Sequence, residues 1–550
     1  MNKLSLLALF KQEISLTHQQ IEIVKKTAHL SNKSIEDVLL ELDFATSDEI
    51  AEVKAMYYEL PLVDLRTVKA EPEALKLIKK ADALKRTILP LSIDRNTLNI
   101  AIDSLENIKN INSLERLTKM NFKFFIAQKK HILHRIRMEY YELDNPIDSL
   151  IADSILNYRK TSDIDINSLV NLLFNHAIKV RATDIHLTPE KFATNVFFRI
   201  DGVLQFYYSL PLEIHPNISV VIKNMCKLDI AKKLVPQDGS LSYEFIDKTY
   251  DMRISTLPTN IGENIVIRIL EKGVSLLSLK NLGLSKKNQE NMLRYFTKPY
   301  GVILVTGPTG SGKTTTLYTA IKHIDTLQKN LLTIEDPIEY QFSFIKQTQL
   351  NVKGGYTFDS AIKSFMRQDP DVILVGEIRD SETASLAMRA SITGHLVLST
   401  VHTNDAVSTI ARLADLGIEP YLIGSGLLSI LNQRLIRKLC PHCKEKIELS
   451  DEELLEKGLS KSLLKEVTQR EIYEAKGCSV CNHNGYIGRE LIIEILEITP
   501  EIQSLIQSRS NAMEIHNYMK DKNIHLLRDD GYIKVLSGIT TFSEIDRIVN

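Results

Sequence analysis

The chain has 550 residues, of which 44% are hydrophobic and 25% are charged, a mixture typical of globular proteins that excludes a wholly disordered chain. This length favours several domains over a single compact one. The 68 lysines and arginines balance 69 aspartates and glutamates, so the formal charge of −1 provides no overall attraction to nucleic acid or to anionic lipid.

Hydropathy and cysteine usage favour a cytoplasmic protein without a membrane span. The longest apolar stretches, such as residues 4–10 and 301–305, are much shorter than the roughly 20 residues that cross a bilayer. Five cysteines are too few for a disulfide-based fold, and four of them form two C-x-x-C pairs. That pattern favours metal binding in a reducing compartment, and we expect the fifth cysteine, Cys226, to belong to the core.

Residues 1–142 predict a small α/β domain. Apolar residues recur at helical spacing around residues 35–42, and residues 98–102 have the pattern of a strand. Residues 143–165 are polar and acidic, which predicts an exposed linker.

Two further domains are predicted after the linker. A helix over residues 168–180 and alternating strands at 195–200, 240–245 and 264–270 predict a compact α+β domain spanning residues 166–275. From residue 276 onwards, the order of strand, glycine-rich loop and helix predicts a parallel sheet with helical crossovers. We expect the last 60 residues, from about Leu491, to be mostly helical.

A phosphate-binding loop follows the apolar strand at residues 301–305. The motif G-x-x-x-x-G-K-[ST] is complete in Gly307, Pro308, Thr309, Gly310, Ser311, Gly312, Lys313, Thr314 and Thr315. Glycines let the backbone amides point at a phosphate, Lys313 would meet the β- and γ-phosphates, and Thr314 would ligate Mg²⁺. The alternative is a glycine-rich turn that binds no ligand.

Two more strands end in acidic residues. The strand at residues 372–375 leads to Glu377, as expected for the metal-side acid of a P-loop hydrolase. The strand at residues 331–334 leads to Glu335 and Glu339, and Pro337 between them predicts a loop rather than a helix. Either acid could act on the attacking water. Solvated loop acids, or an acid that caps a strand end, remain the alternatives.

A fourth strand lies within residues 394–403 and has His395 and His402 at its two ends. A histidine beside a γ-phosphate could sense it through a hydrogen bond. Two structural histidines are the alternative.

The cysteine pairs predict a closed tetrahedral Zn²⁺ site with a structural role, since no ligand position stays open. Its ligands would be Cys440, Cys443, Cys478 and Cys481. The segment between the pairs is longer than in an ordinary zinc ribbon, and helices over residues 451–455 and 461–467 would account for the excess. The alternative is four reduced cysteines without metal.

A basic patch of Arg434, Arg437 and Lys438 precedes the first cysteine pair. Such a patch is either solvated surface or a local nucleic-acid contact. Because no interleaved aromatic residues accompany it, we expect no nucleic-acid partner.

In this order, the motifs resemble the secretion and pilus assembly ATPases of bacterial type II secretion and type IV pilus systems. The segments that carry the resemblance are residues 181–186, 199–204, 236–239, 253–259, 307–315, 333–340, 367–380, 393–406, 432–443, 485–489 and 527–548. The resemblance implies an α/β fold with a RecA-like P-loop NTPase domain that carries a zinc-binding insertion. A PAS-like α+β domain and a small N-terminal α/β domain would precede it.

The resemblance also implies roles for individual residues. Glu339 would be the catalytic carboxylate, Glu377 the Walker B acid, His402 a γ-phosphate sensor with His395 close by, and Arg253 and Arg268 would reach nucleotide phosphates. At Phe197 and Ser240 this chain lacks arginines that relatives often carry, which leaves the full set of arginines open.

The activity implied is Mg²⁺-dependent ATP hydrolysis by a homohexamer that acts on an inner-membrane platform protein from the cytoplasmic side. The N-terminal region, with its helical units followed by residues 60–65, resembles the pilus-extension branch. This resemblance favours pilus extension over type II secretion. A DNA-transport NTPase and an inactive scaffold are further alternatives. The near-neutral charge argues against the first, and the intact Lys313, Thr314, Glu339 and Glu377 argue against the second.

Overall fold

The computed structural model describes residues 5–108, 115–116, 118–271 and 279–549. The chain forms two compact units. The first unit comprises Met1–Glu13 and Ile50–Val274, and the second unit comprises Ile14–Glu49 and Ser275–Asn550. Residues 14–49 therefore group with the second unit, although the sequence predicts one domain over residues 1–142. The predicted boundary at residues 275 and 276 lies outside the described residues.

In the described residues, six α-helices precede the first strand, and helices and strands then follow singly or in small groups. The α-helices are Leu6–Glu13, His18–Ser31, Ile35–Glu41, Ser47–Tyr58, Pro72–Leu77, Lys80–Arg86, Lys129–Asp144, Ile147–Thr161, Ile166–Lys179, His215–Met225, Lys286–Phe296, Lys313–Lys322, Phe358–Phe365, Ser381–Ile392, Ala406–Asp415, Pro420–Gly426, Asp451–Glu456, Lys461–Glu466, Pro500–Gln507, Ala512–Asp521, Leu527–Leu536 and Phe542–Ile548. The strands are β1 Ile88–Asp94, β2 Thr97–Ile102, β3 Asn121–Ile126, β4 Asp184–Pro189, β5 Ala193–Ile200, β6 Val203–Pro211, β7 Gln237–Phe245, β8 Lys248–Pro258, β9 Glu263–Glu271, β10 Gly301–Thr306, β11 Leu331–Glu335, β12 Lys346–Gln349, β13 Val372–Val375, β14 Leu396–Val401, β15 Leu427–Leu439, β16 Glu445–Ile447, β17 Ile472–Glu474 and β18 Tyr486–Glu497.

The first unit contains a three-stranded sheet, β1-β2-β3, and a six-stranded antiparallel sheet in the order β6-β5-β4-β9-β8-β7. Burial alternates along β5, as expected for a sheet with one face on the core and the other in solvent. The predicted α+β character of this region is confirmed. In the predicted linker, however, residues 147–161 form a helix that buries Ile147 and Ile151. The sequence did not predict this helix, because the segment is largely polar and only a narrow face of the helix is apolar.

The second unit is built around a seven-stranded sheet in the order β12-β11-β13-β14-β10-β15-β18. Neighbouring strands from β12 to β15 run parallel, and β18 is antiparallel to β15. Every residue of β10, β11, β13 and β14 is buried, because helices cover both faces of the sheet. The predicted parallel sheet with crossovers is confirmed, and the carboxyl ends of these strands share one edge.

The C-terminal region differs from its prediction in one respect. Residues 491–497 belong to β18, whose residue Glu497 pairs with Ser429 of β15, so the helical tail begins only at Pro500. A short apolar run does not distinguish a buried strand from a helix, and here pairing with β15 decides the outcome. Among the described residues, no helix combines the length and hydrophobicity needed to cross a membrane.

Candidate functional site

The loop at residues 307–312 joins β10 to the helix Lys313–Lys322 at the carboxyl edge of the seven-stranded sheet. Gly307 has a φ of 141°, and a Cβ there would lie 2.5 Å from the carbonyl oxygen of Gln433. Only glycine permits this close approach to β15. Gly312, with a φ of 86°, has no side chain to cap the following helix, so the first N–H groups stay available to a phosphate.

Lys313 folds back into this loop. Its Nζ donates hydrogen bonds to the carbonyl oxygens of Gly307 at 2.9 Å and Pro308 at 3.1 Å. Burial lowers the pKa of Lys313, and Arg434 adds to that effect, while the nearby carboxylate of Glu377 opposes it. The side chain of Thr314 is exposed, whereas the Oγ of Ser311 is buried without a hydrogen-bond partner. These features fit a site for nucleotide phosphates.

Two amide side chains of β15 hold the loop from the neighbouring strand. Gln433 donates from Nε2 to the carbonyl oxygen of Ser311 at 2.7 Å and accepts from Oγ1 of Thr316 at 2.8 Å. Asn432 donates to Oγ1 of Thr306 at 2.9 Å. Sequence reasoning assigned no role to either amide, although two adjacent buried amides in an apolar strand were a detectable signal.

Glu377 follows β13 and forms an ion pair with Arg379, and its carboxylate lies 3.7 Å from Nε2 of His402. Burial and the positive charge of Lys313 lower the pKa of His402, which favours its neutral form. The structure thus brings Lys313, Glu377 and His402 together. Arg379 was missed, and its position two residues after the predicted acid was the only signal.

The loop after β11 separates the two predicted acids. Glu335 is buried and accepts hydrogen bonds from Thr333 at 2.6 Å, from Gln347 at 3.1 Å and from the hydroxyl of Tyr318. Glu339 is exposed, and its backbone N–H donates to the Tyr318 hydroxyl at 3.2 Å. The predicted loop is confirmed. Glu335 is held as a structural acid, which leaves Glu339 as the candidate that faces solvent.

His395 lies far from His402. It precedes the first residue of β14, whereas His402 follows the last one, which places them roughly 20 Å apart along the strand. Its Nδ1 lies 2.8 Å from the carbonyl oxygen of Ala390. The expectation that His395 lies close to the γ-phosphate sensor is therefore wrong, because the two ends of one buried strand lie at opposite edges of the sheet.

Arg253 and Arg268 belong to the six-stranded sheet of the first unit. They face each other in the pairing of β8 with β9, and Arg268 in turn pairs with Asp184 of β4. The carboxylate of Asp184 lies 3.0 Å from Nε of Arg268 and 3.5 Å from Nε of Arg199 on β5. Arg199, Arg268 and Arg253 thus form a row across neighbouring strands, which we call the arginine row. The sequence predicted no role for Arg199, because only the register of the strands places it in this row.

The two departures from the family pattern also lie in this sheet. Ser240 pairs with Arg253, so an arginine there would have extended the arginine row by one strand. Phe197 pairs with His186 and contacts the ring of Phe206 instead.

The four cysteines converge as the spacing predicts. Their Sγ atoms lie within 4.8 Å of one another. Sγ separations are 3.9 Å for Cys440 and Cys478, and 3.8 Å both for Cys443 and Cys481 and for Cys478 and Cys481. A tetrahedral Zn²⁺ with Zn–S distances of about 2.3 Å needs sulfur separations of about 3.8 Å. The geometry therefore fits zinc.

The predicted insertion between the cysteine pairs is confirmed. It consists of the helices Asp451–Glu456 and Lys461–Glu466, flanked by the two-stranded ribbon of β16 and β17. Cys226 is buried in the core of the first unit, as expected. Arg437 of the basic patch is bound to Glu544 of the C-terminal tail, so this part of the patch has a structural role.

The sheet order, the glycine loop and the acids at one edge define a P-loop ATPase with a RecA-like fold. The family model described as Type II/IV secretion system protein matches residues 159–547, and the MshEN domain model matches residues 58–145. The chain belongs to the type II/IV secretion system protein family.

Known proteins similar to this chain come from both branches of the family. The type IV pilus assembly ATPase PilB of Myxococcus xanthus is 35% identical over 553 residues, covering 98% of this chain and 97% of that protein. The type II secretion system ATPase E of Vibrio cholerae is 45% identical over 388 residues, covering 70% and 76%. The crystal structure of the Legionella pneumophila ATPase DotB shares the fold, with 18% identity, a TM-score of 0.51, and coverage of 69% of this chain and 95% of that one.

Proposed function

We propose that this chain is a Mg²⁺-dependent ATPase that powers type IV pilus assembly. It works as a homohexamer at the cytoplasmic face of the inner membrane and acts there on a platform protein. The proposal depends on one observation: Lys313, Glu377 and the Glu339 loop share one edge of the sheet. Alignment with a pilus assembly ATPase over 98% of the chain supports the choice of the pilus branch.

Each site residue has a separate role in ATP hydrolysis. Lys313 and the loop N–H groups bind the phosphates, and Glu339 orients and activates the attacking water. Thr314 and Glu377 would hold Mg²⁺, which supplies neutralising charge at the phosphates. A neutral His402 next to Lys313 can hydrogen-bond to the terminal phosphate and so report its presence. Arg253 and Arg268 supply positive charge to the phosphates during turnover.

Zn²⁺ would have a purely structural role. Cys440, Cys443, Cys478 and Cys481 offer four thiolates, which leaves no open coordination position for substrate or water.

A type II secretion motor is the second candidate. The ATPase part of the chain is 45% identical to the Vibrio cholerae secretion ATPase, a higher identity than the 35% to the pilus ATPase. The two candidates share their chemistry and differ in the machinery that they drive.

ATP hydrolysis by the purified full-length protein tests the chemistry. We expect Glu339→Gln to abolish turnover while nucleotide binding persists, and Lys313→Ala to lose both. Glu452→Gln, an exposed acid on the zinc insertion, is the matched control and should behave as the parent. Parental hydrolysis by either site variant would overturn the assigned roles.

Replacement of the native gene by the Lys313→Ala variant separates the two kinds of machinery. The proposal predicts that cells lose surface pili, counted by electron microscopy, and keep their exported proteins. Loss of exported proteins with normal piliation would establish the secretion motor instead.

A further inference from the structure

Residues 14–49 form the N-terminal segment of the second unit, and a turn in this segment contacts the ATPase core. Residues 42–46, which we call the N-terminal turn, connect the helices Ile35–Glu41 and Ser47–Tyr58. Phe44, Ala45 and Thr46 of this turn are buried. The turn is therefore packed against protein rather than exposed to solvent.

The surface that it contacts is the loop that carries Glu339. Asp43 accepts a hydrogen bond from the Tyr340 hydroxyl at 2.5 Å on Oδ1 and one from the Ser343 backbone N–H at 2.9 Å on Oδ2. The ring of Phe44 stacks on Phe344, with centroids 5.9 Å apart and planes 7° from parallel. Burial and the Asp43 carboxylate raise the pKa of Tyr340, so its hydroxyl stays protonated and donates.

A second connection reaches the P-loop helix itself. Lys322, the last residue of that helix, forms an ion pair with Glu49, and both side chains are largely buried. Asp48 accepts a hydrogen bond from Asn281 at 2.7 Å. The N-terminal segment thus contacts both the Glu339 loop and the P-loop helix.

Glu339 is flanked by two fixed points in its loop. On one side its own N–H is bound to Tyr318, which belongs to the P-loop helix. On the other side its neighbour Tyr340 is bound to Asp43. Gln347 also donates to the Tyr340 carbonyl oxygen at 2.9 Å and so holds the backbone of the loop, while the Asp43 contacts fix the Tyr340 side chain and the Ser343 N–H.

We propose that Asp43 is a positioning residue for ATP hydrolysis, which holds the Glu339 loop in its reactive geometry through Tyr340 and Ser343. The inference rests on the proposed role of Glu339 as the carboxylate that handles water. It assigns to the N-terminal segment a direct effect on turnover, separate from nucleotide binding at the P-loop.

Asp43→Asn is the informative substitution. Asp43 has a φ of 58°, a left-handed conformation that asparagine tolerates well, so the backbone of the turn is preserved. Asparagine keeps one acceptor oxygen for the Ser343 N–H, but it has no negative charge, and the charge-assisted hydrogen bond from the Tyr340 hydroxyl is lost. Glu41→Gln is the matched control, because it neutralises an exposed acid two residues earlier that pairs with Lys33.

Steady-state ATP hydrolysis by the full-length protein gives the primary measurement. Asp43→Asn should lower kcat about tenfold and leave the KM for ATP within about twofold, because misplacing a catalytic group affects the transition state more than substrate binding. Glu41→Gln should keep parental values. Hydrogen exchange at the Ser343 amide should accelerate in Asp43→Asn and stay unchanged in Glu41→Gln.

Tyr340→Phe tests the same contact from the loop side and serves if Asp43→Asn does not fold. The double variant should be no slower than the slower single variant, since both remove one interaction. Parental kcat in Asp43→Asn, or effects that multiply in the double variant, would overturn the role of Asp43. Parental hydrolysis by Glu339→Gln would instead overturn the proposed function, so the two failures are distinguishable.

Discussion

The Gln433 contact between β15 and the P-loop permits a quantitative prediction. Gln433 is fully buried and joins the Ser311 carbonyl to the Thr316 hydroxyl. Gln433→Leu has a similar volume and removes both hydrogen bonds. Each buried group left unpaired costs about 1–3 kcal/mol, and the Thr316 hydroxyl can turn to a carbonyl of its own helix. Only the Ser311 carbonyl then stays unpaired, so we expect a loss of about 1–3 kcal/mol in the free energy of unfolding.

Thermal denaturation measures this loss directly. A destabilisation of this size lowers the melting temperature by about 2–5 °C for a unit of this length. The affinity for ATP, measured by calorimetry, should fall as well, because the loop loses the hydrogen bond that Gln433 donates to the Ser311 carbonyl. Thr316→Val serves as the second arm of a double-mutant cycle.

The double variant Gln433→Leu/Thr316→Val replaces both partners of one hydrogen bond with apolar groups. It should be less destabilised than the sum of the two single variants by about 1 kcal/mol. A melting temperature of Gln433→Leu within about 1 °C of the parent, or strictly additive effects in the cycle, would refute this account of the loop.

Three further predictions concern other parts of the chain. Metal analysis of freshly purified protein should find about one zinc per chain, lost in Cys478→Ser and retained in Cys226→Ser. Burial lowers the pKa of His176 to about 4, so below pH ~6.5 the unfolded chain binds a proton that the folded state excludes. Stability should therefore be full above pH ~6.5 and fall by about 1.4 kcal/mol per pH unit towards pH 4, and urea denaturation should show a weaker dependence in His176→Gln. Arg253→Ala should lower kcat at least tenfold without changing the melting temperature, whereas Arg268→Ala, which also loses a carboxylate partner, should lower both.

The sequence determined the parts of this protein that depend on short spacings. The P-loop requires glycines, lysine and threonine within nine consecutive residues between a strand and a helix, and the structure has that order. The paired cysteines likewise predicted a four-thiolate cluster. In both cases the ligand-binding residues occur in short motifs with characteristic spacing, so the motifs can be identified from the sequence.

Only the tertiary structure decided which residues meet across long separations. Glu335 and Glu339 are equivalent acids in the sequence, and burial beside Tyr318 and Thr333 makes the first structural. His395 and His402 bound the same strand, and the strand's own length separates them.

The sequence also did not predict contacts between segments that are far apart along the chain. Gln433 meets Thr316, Arg268 meets Asp184, and Asp43 meets Tyr340, each across many intervening residues. Such pairs are set by strand order, strand register and the packing of the N-terminal turn. Those properties arise from the summed burial of apolar surface over a whole unit, and no local pattern of residues specifies them.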